Sequence, residues 1–114
     1  MSAITTHVLD TSTGRPGAGI AVVLERKGEA TGWQIVGEGT TDVDGRSRDL
    51  LPDSEAFSAG DYRLTFQTAP YFLSKNIECF FPHVTISFTV KNAGQHYHVP
   101  LLISPFGYST YRGS

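Results

Sequence analysis

The sequence predicts an all-β protein, a β-sandwich of about seven or eight short strands with one short helix. Two observations carry this expectation. Apolar and polar residues alternate with period two over several short runs. The clearest is His83–Lys91, with Val84, Ile86, Phe88 and Val90 on one face and Thr85, Ser87 and Thr89 on the other. Turn formers punctuate these runs, in Asp10–Gly17, at Asp44-Gly45 and at Asn92-Ala93-Gly94.

Taken in order, Ile4–Asp10 reads as the first strand, with Thr5, His7 and Leu9 on one face. Thr11–Gly17 is a loop. Ala18–Arg26 is a second strand, apolar on both sides at its centre, which places it inside a sheet. Lys27–Thr31 is a polar turn. Trp33–Thr40 is the next strand, with Trp33 and Ile35 sharing a face. The tight pair Asp44-Gly45 then delivers Arg46 at the start of a short strand. Asp49–Gly60 reads as loop. Asp61–Gln67 sets Tyr62, Leu64 and Phe66 against Arg63, Thr65 and Gln67. Pro70–Asn76 is the short helix, since proline is accepted at a first helical position. Cys79–Pro82 connects it to His83–Lys91. Gln95–Ser104 pairs back after the Asn92–Gly94 turn, and Phe106-Gly107 leads into a final strand, Tyr108–Ser114.

Size and composition bound the function. A chain of 114 residues is expected to be one domain, 1–114. Its net charge of -2 argues against nucleic-acid binding through a basic footprint. No apolar run approaches the roughly 18 residues of a membrane span. The single cysteine, Cys79, excludes an internal disulfide and reads as a buried structural thiol. The start MSAITTHVLD has no secretory pattern, so a cytoplasmic location is expected. A charged content of only 18% hints at surface covered by a partner chain.

The chemistry-bearing residues are few. His7 sits mid-strand. His96 and His98, two apart on a strand, point the same way. That spacing suits a metal, but a zinc site needs a third or fourth ligand and no ligand motif supplies one, so no metal is expected. A general base is the better use, because an imidazole titrates near pH 6.5. By parity His96 and His98 are equal candidates. Arg46, on a rigid turn, is suited to an oxyanion or a planar acidic heterocycle, with Arg48 its competitor on the same face. In the closing Tyr111-Arg112-Gly113-Ser114, Tyr111 alternates away from Arg112 and Ser114. A common site would therefore need a bend, for which Gly113 has the freedom. Asp10, Asp42, Asp44 and Asp49 lie in or beside turns and are assigned no catalysis.

Three separated segments resemble a known family. HYHVPLLISPFGYSTYRGS resembles the C-terminus of the 5-hydroxyisourate hydrolases, the transthyretin-like enzymes of urate breakdown, and Tyr-Arg-Gly-Ser is their hallmark ending. THVLDTSTGRPGAGI and TTDVDGRSRDLL resemble their N-terminal and central signatures. Periodicity alone does not separate an immunoglobulin-like from a transthyretin-like sandwich; the resemblance implies the latter. It implies ring opening of 5-hydroxyisourate to 2-oxo-4-hydroxy-4-carboxy-5-ureidoimidazoline, with no cofactor, in a homotetramer built as a dimer of dimers. It places the active-site residues at His7, Arg46 rather than Arg48, and His98 rather than His96. Ser114 joins these as catalytic, and Tyr111, Arg112 and Gly113 as substrate-binding. The alternative is a transthyretin-like carrier of a small aromatic ligand in a central channel.

Overall fold

A computed structural model describes residues 2–30, 32–52 and 56–114. Thr31 of the expected turn and residues 53–55 of the expected loop lie outside the described residues. The elements in chain order are β1 (Ile4–Asp10), β2 (Arg15–Pro16), β3 (Ala21–Lys27), β4 (Trp33–Thr40), β5 (Arg46–Ser47), β6 (Gly60–Phe66), α1 (Thr68–Leu73), β7 (Val84–Val90), β8 (Tyr97–Ser104) and β9 (Gly107–Thr110). They form two sheets. One runs β2-β1-β8-β9 with β5 also paired to β1, and the other runs β4-β3-β6-β7. The all-β sandwich with one short helix is what the alternation predicts.

The inward faces of the sheets meet in one core. Ile4, Val8, Val99, Leu101 and Ile103 come from the first sheet, and Val22, Leu24, Tyr62, Leu64, Phe66, Val84, Ile86 and Val90 from the second. Each fully buried aliphatic or aromatic side chain contributes roughly 1.5–3 kcal/mol. β3 lies between two neighbours, as its two apolar sides require. Leu50 and Leu51, read as loop, are core residues. Gly37 makes room for them, because a Cβ there would stand 1.6 Å from the carbonyl oxygen of Leu50.

Several boundaries differ from the sequence reading, each for a local reason. The second strand starts at Ala21 rather than Ala18. Gly19, at φ +78°, turns the chain there, and its N–H and that of Ile20 donate to the carbonyl and hydroxyl oxygens of Thr41. The loop after Asp10 contains the two-residue strand β2, held by pairs Leu9–Pro16 and Asp10–Arg15. A register shift between Leu24 and Glu25 sets Ile35 outward, 61% exposed. Trp33 on that face lies under the guanidinium of Arg63, 4.3 Å from the ring centroid, and Arg63 is ion-paired to Glu25 at 2.8 Å. The helix begins two residues before Pro70, since the N–H groups of a whole first turn lack helical partners and proline removes nothing needed there. It ends before Asn76, whose φ of +58° stops it. Cys79 is half-buried rather than buried.

The final strand is the main correction. β9 ends at Thr110, not Ser114. Its register pairs Leu101 with Thr110, and carrying that register on sets Tyr111 opposite Pro100 and Gly113 opposite His98. Pro100 has no N–H to give to the ladder. The ladder breaks there, the Thr110 hydroxyl donates to the Pro100 carbonyl at 2.7 Å, and pairing resumes as a lone bridge between His98 and Gly113.

Candidate active site

The parallel pairing of β1 with β8 builds the site on the outward face of the first sheet. Its register sets Thr5 beside His98 and His7 beside Pro100. On the other edge of β1, β5 pairs Arg46 with His7. Three distant stretches of sequence thus converge because the strand that carries His7 has both neighbours.

Arg46 is aimed by the turn before it. The Oδ1 of Asp42 accepts from the N–H groups of Asp44 at 2.9 Å and of Arg46 at 3.0 Å, and the N–H of Asp42 donates to the Arg46 carbonyl. The hydrogen bond from the Arg46 N–H is the main reason the Asp42 carboxyl sits below its usual range. Gly45, at φ +78°, is pressed against β1, where a Cβ would stand 2.3 Å from the Val8 carbonyl oxygen.

His98 is half-buried on β8. Its Nδ1 lies 2.8 Å from the hydroxyl of Thr5, and the same hydroxyl lies 3.0 Å from Nε2 of His96. Burial, first, and then the positive charge of Arg46 and the imidazoles of His7 and His96 lower the pKa of His98, against a smaller opposing effect of the Thr5 backbone. The ring is therefore neutral at neutral pH, the state a general base needs.

A cavity of about 180 Å³ gathers Arg46, His98 and Ser114, together with Thr5, Thr6, Arg48 and His96. Gly113 seats His98 directly. Its N–H donates to the His98 carbonyl at 2.8 Å, and a Cβ on it would lie 2.6 Å from Cδ2 of the His98 ring. The bridge from Gly113 to His98 leaves Ser114 at the rim of this cavity, while Tyr111 and Arg112 do not line it, so the tail is not gathered into one site.

The other sequence-predicted residues do not line this cavity. His7, paired across the strands with Arg46, has its Nε2 donating to the Asp44 carbonyl at 2.9 Å. Since a carbonyl only accepts, that nitrogen carries the hydrogen and is not free to act as a base. Tyr111 and Arg112 line a neighbouring cavity of about 230 Å³ that His98 also borders, with Ile86, Phe88 and Tyr97. Arg112 lies over the Tyr97 ring at 4.5 Å and donates to the Gln95 side chain at 3.2 Å, while Tyr111 is 60% exposed. Sequence reasoning passed over Thr5 and Asp42. The pattern Asp-x-Asp-Gly, a side-chain-capped turn, could have marked Asp42; nothing local marks Thr5. A larger cavity, about 690 Å³ beside α1, is lined by Leu73, Ile77, Cys79 and Phe80 and by none of these imidazoles.

The chain has clear relatives. The model of the HIUase/Transthyretin family matches residues 4–113. The 5-hydroxyisourate hydrolase of Salmonella dublin is 48% identical over 111 residues, covering 97% of this chain and 80% of that protein. The structure of Klebsiella pneumoniae 5-hydroxyisourate hydrolase superposes with a TM-score of 0.82 at 37% identity, covering 97% of this chain and 98% of that one. Sea bream transthyretin in complex with thyroxine superposes with a TM-score of 0.91 at 28% identity, covering 98% and 95%. The fold is thus transthyretin-like. Backbone overlap does not separate enzyme from carrier; sequence identity favours the hydrolases.

Proposed function

The chain belongs to the HIUase/Transthyretin family, and from that premise we propose that it is an enzyme of urate breakdown that hydrolyses 5-hydroxyisourate. The observation that carries the reading is the convergence of a neutral imidazole, His98, with the guanidinium of Arg46 and the tail residue Ser114 around one cavity.

His98 takes a proton from water through Nε2 as the oxygen attacks the ring carbonyl. Arg46 faces the oxyanion of the tetrahedral adduct with its planar fork of donors. The C–N bond then breaks, and the leaving nitrogen recovers the proton held by His98. His7, fixed to the Asp44 carbonyl, holds the neighbouring wall and orients substrate. Ser114 closes the cavity, Gly113 lets the tail reach it, and Tyr111 and Arg112 bind substrate from the adjoining side. Addition of water and opening of a C–N bond ask only for a base and a cation, so the step is assigned to side chains without a metal or organic cofactor. A carrier of an aromatic ligand has no use for a base held neutral beside an arginine.

We assign the working form to a homotetramer, a dimer of dimers, of single domains spanning 1–114. A cavity of about 180 Å³ is below the roughly 300–1,000 Å³ of small-molecule sites, which favours a second wall from another subunit. The edge strands β7 and β9 offer unpaired backbone for joining sheets. No helix among the described residues is long and apolar enough to cross a membrane. A lone cysteine suits the reducing cytoplasm, where we place the protein.

The test follows the ultraviolet decay of 5-hydroxyisourate, made in the cuvette by urate oxidase, with and without the protein. Its mass is measured in parallel by sedimentation. Faster decay with a fourfold-mass species is expected. Unchanged decay by a folded tetramer would leave the carrier reading in its place.

A further inference from the structure

The hydroxyl of Thr5 faces two imidazoles at once, and it has only one hydrogen. It lies 2.8 Å from Nδ1 of His98 and 3.0 Å from Nε2 of His96, on a side chain only 5% exposed. A hydroxyl can donate to one of the two and must accept from the other. The two neutral rings are therefore forced into opposite roles: one presents N–H to Thr5 and the other a bare nitrogen. Among the described residues Nε2 of His98 has no hydrogen-bond partner, so whatever Thr5 does at Nδ1 decides whether the free side of the ring carries a hydrogen or a lone pair.

We infer that Thr5 is a positioning residue that holds His98 in the tautomer with hydrogen on Nδ1 and a bare Nε2, with His96 as the acceptor that fixes the direction of the Thr5 hydroxyl. In this arrangement Nδ1–H of His98 donates to Thr5 Oγ1, and the Thr5 hydroxyl donates to Nε2 of His96. Three features favour this direction over its reverse. Arg46 and Arg48 line the same cavity, and their charge stabilises an electron-rich nitrogen on the free side of His98. His96 is exposed, so its own Nδ1–H finds water without cost. The parallel register fixes Thr5 directly beside His98, so the bond does not depend on a mobile loop. Thr5 touches no reacting atom in this scheme; it acts through His98. The inference rests on the hydrolase reading only for its kinetic consequence, not for the tautomer itself.

The experiment uses the intact protein with 15N-labelled histidine, at about pH 8 where imidazoles are neutral. Long-range 1H–15N correlation reports which ring nitrogen carries the hydrogen, and His98→Gln assigns the signals. His98 is expected as the Nδ1–H tautomer in the wild type and in Thr5→Ser, and as a mixture or the Nε2–H form in Thr5→Val. In the decay assay Thr5→Val should lose about 10- to 100-fold in kcat with little change in KM, as when other partners that fix a histidine's tautomer are removed. Thr5→Ser should stay near wild type. His96→Ala, where water takes over as acceptor, should lose less than Thr5→Val. An Nε2–H tautomer in the wild type would overturn the inference. So would a Thr5→Val protein of wild-type kcat and tautomer, or a larger loss in His96→Ala, which would make His96 the base. If Thr5→Val fails to fold, the wild-type and Thr5→Ser tautomers decide. If the tautomer pattern holds while the wild type hydrolyses nothing, the hydrolase reading fails and the lock stands.

Discussion

Gly113→Ala adds one methyl group to the tail and aims it at the proposed base. The Cβ would stand 2.6 Å from Cδ2 and 3.3 Å from Cγ of the His98 ring, and 3.2 Å from Cγ of Pro100. Ordinary contact begins at 3.4 Å, so something must move by about 0.8 Å. Pro100 is buried in β8 between β1 and β9 and does not yield. Either the imidazole turns away or the bridge from Gly113 to His98 opens and takes Ser114 with it. A misplacement of about 1 Å at a catalytic group costs on the order of 100-fold, so kcat should fall by roughly that factor. Gly113 does not sit in the left-handed region, so alanine brings no backbone strain. Thermal unfolding should shift by less than about 3 °C, as for a substitution worth about 0.5 kcal/mol or less. The assay is 5-hydroxyisourate decay beside a melting curve. A variant within twofold of wild-type kcat would refute the idea that tail contact sets the His98 ring. A collapse of the melting temperature would make the tail part of the folded core.

Activity should require neutral His98, so kcat/KM should fall on the acid side with an apparent pKa below the ordinary 6.5. Arg46→Ala should move that limb upward, because removing the cation stabilises the imidazolium; a pH–rate profile of each decides. Arg46→Lys should recover little of the loss in Arg46→Ala, since a point charge does not reproduce a planar fork; kcat comparison checks this. Asp42→Ala should lower kcat about 10-fold by loosening the turn that aims Arg46, leaving the amide signals of the β3–β6–β7 region in place by NMR. Because the folded pKa of Asp42 is depressed, its contribution to stability is present above pH 3.8 and is lost as pH falls through the lower folded value; acid unfolding of wild type and variant should therefore converge at low pH.

Much of the sandwich is legible in the sequence because burial on one face imposes period two. His83–Lys91 reads cleanly since β7 is an edge strand with one wet face, and its inward residues are those the alternation names. Ile35 breaks the rule because a bulge, invisible without its partner strand, slips the pairing. Leu50 and Leu51 are buried without any repeat, held by a contact to Gly37 that no local pattern records. The tail shows the limit most clearly. Its register could be extended to Ser114, but the missing N–H of Pro100 lies on a different strand, and only the pairing reveals that it interrupts the ladder. In the site, His98, Arg46 and Ser114 line one cavity, whereas Tyr111 and Arg112 line a neighbouring one. Thr5 was silent in sequence because its importance is a register, not a motif.

The most direct measurement compares wild type and His98→Ala in the 5-hydroxyisourate decay assay, with sedimentation confirming the same assembly for both. If His98 is the base, the variant keeps its fold and mass and loses about 100- to 10,000-fold in kcat. Equal acceleration by both proteins would contradict the assignment and move the base to His96.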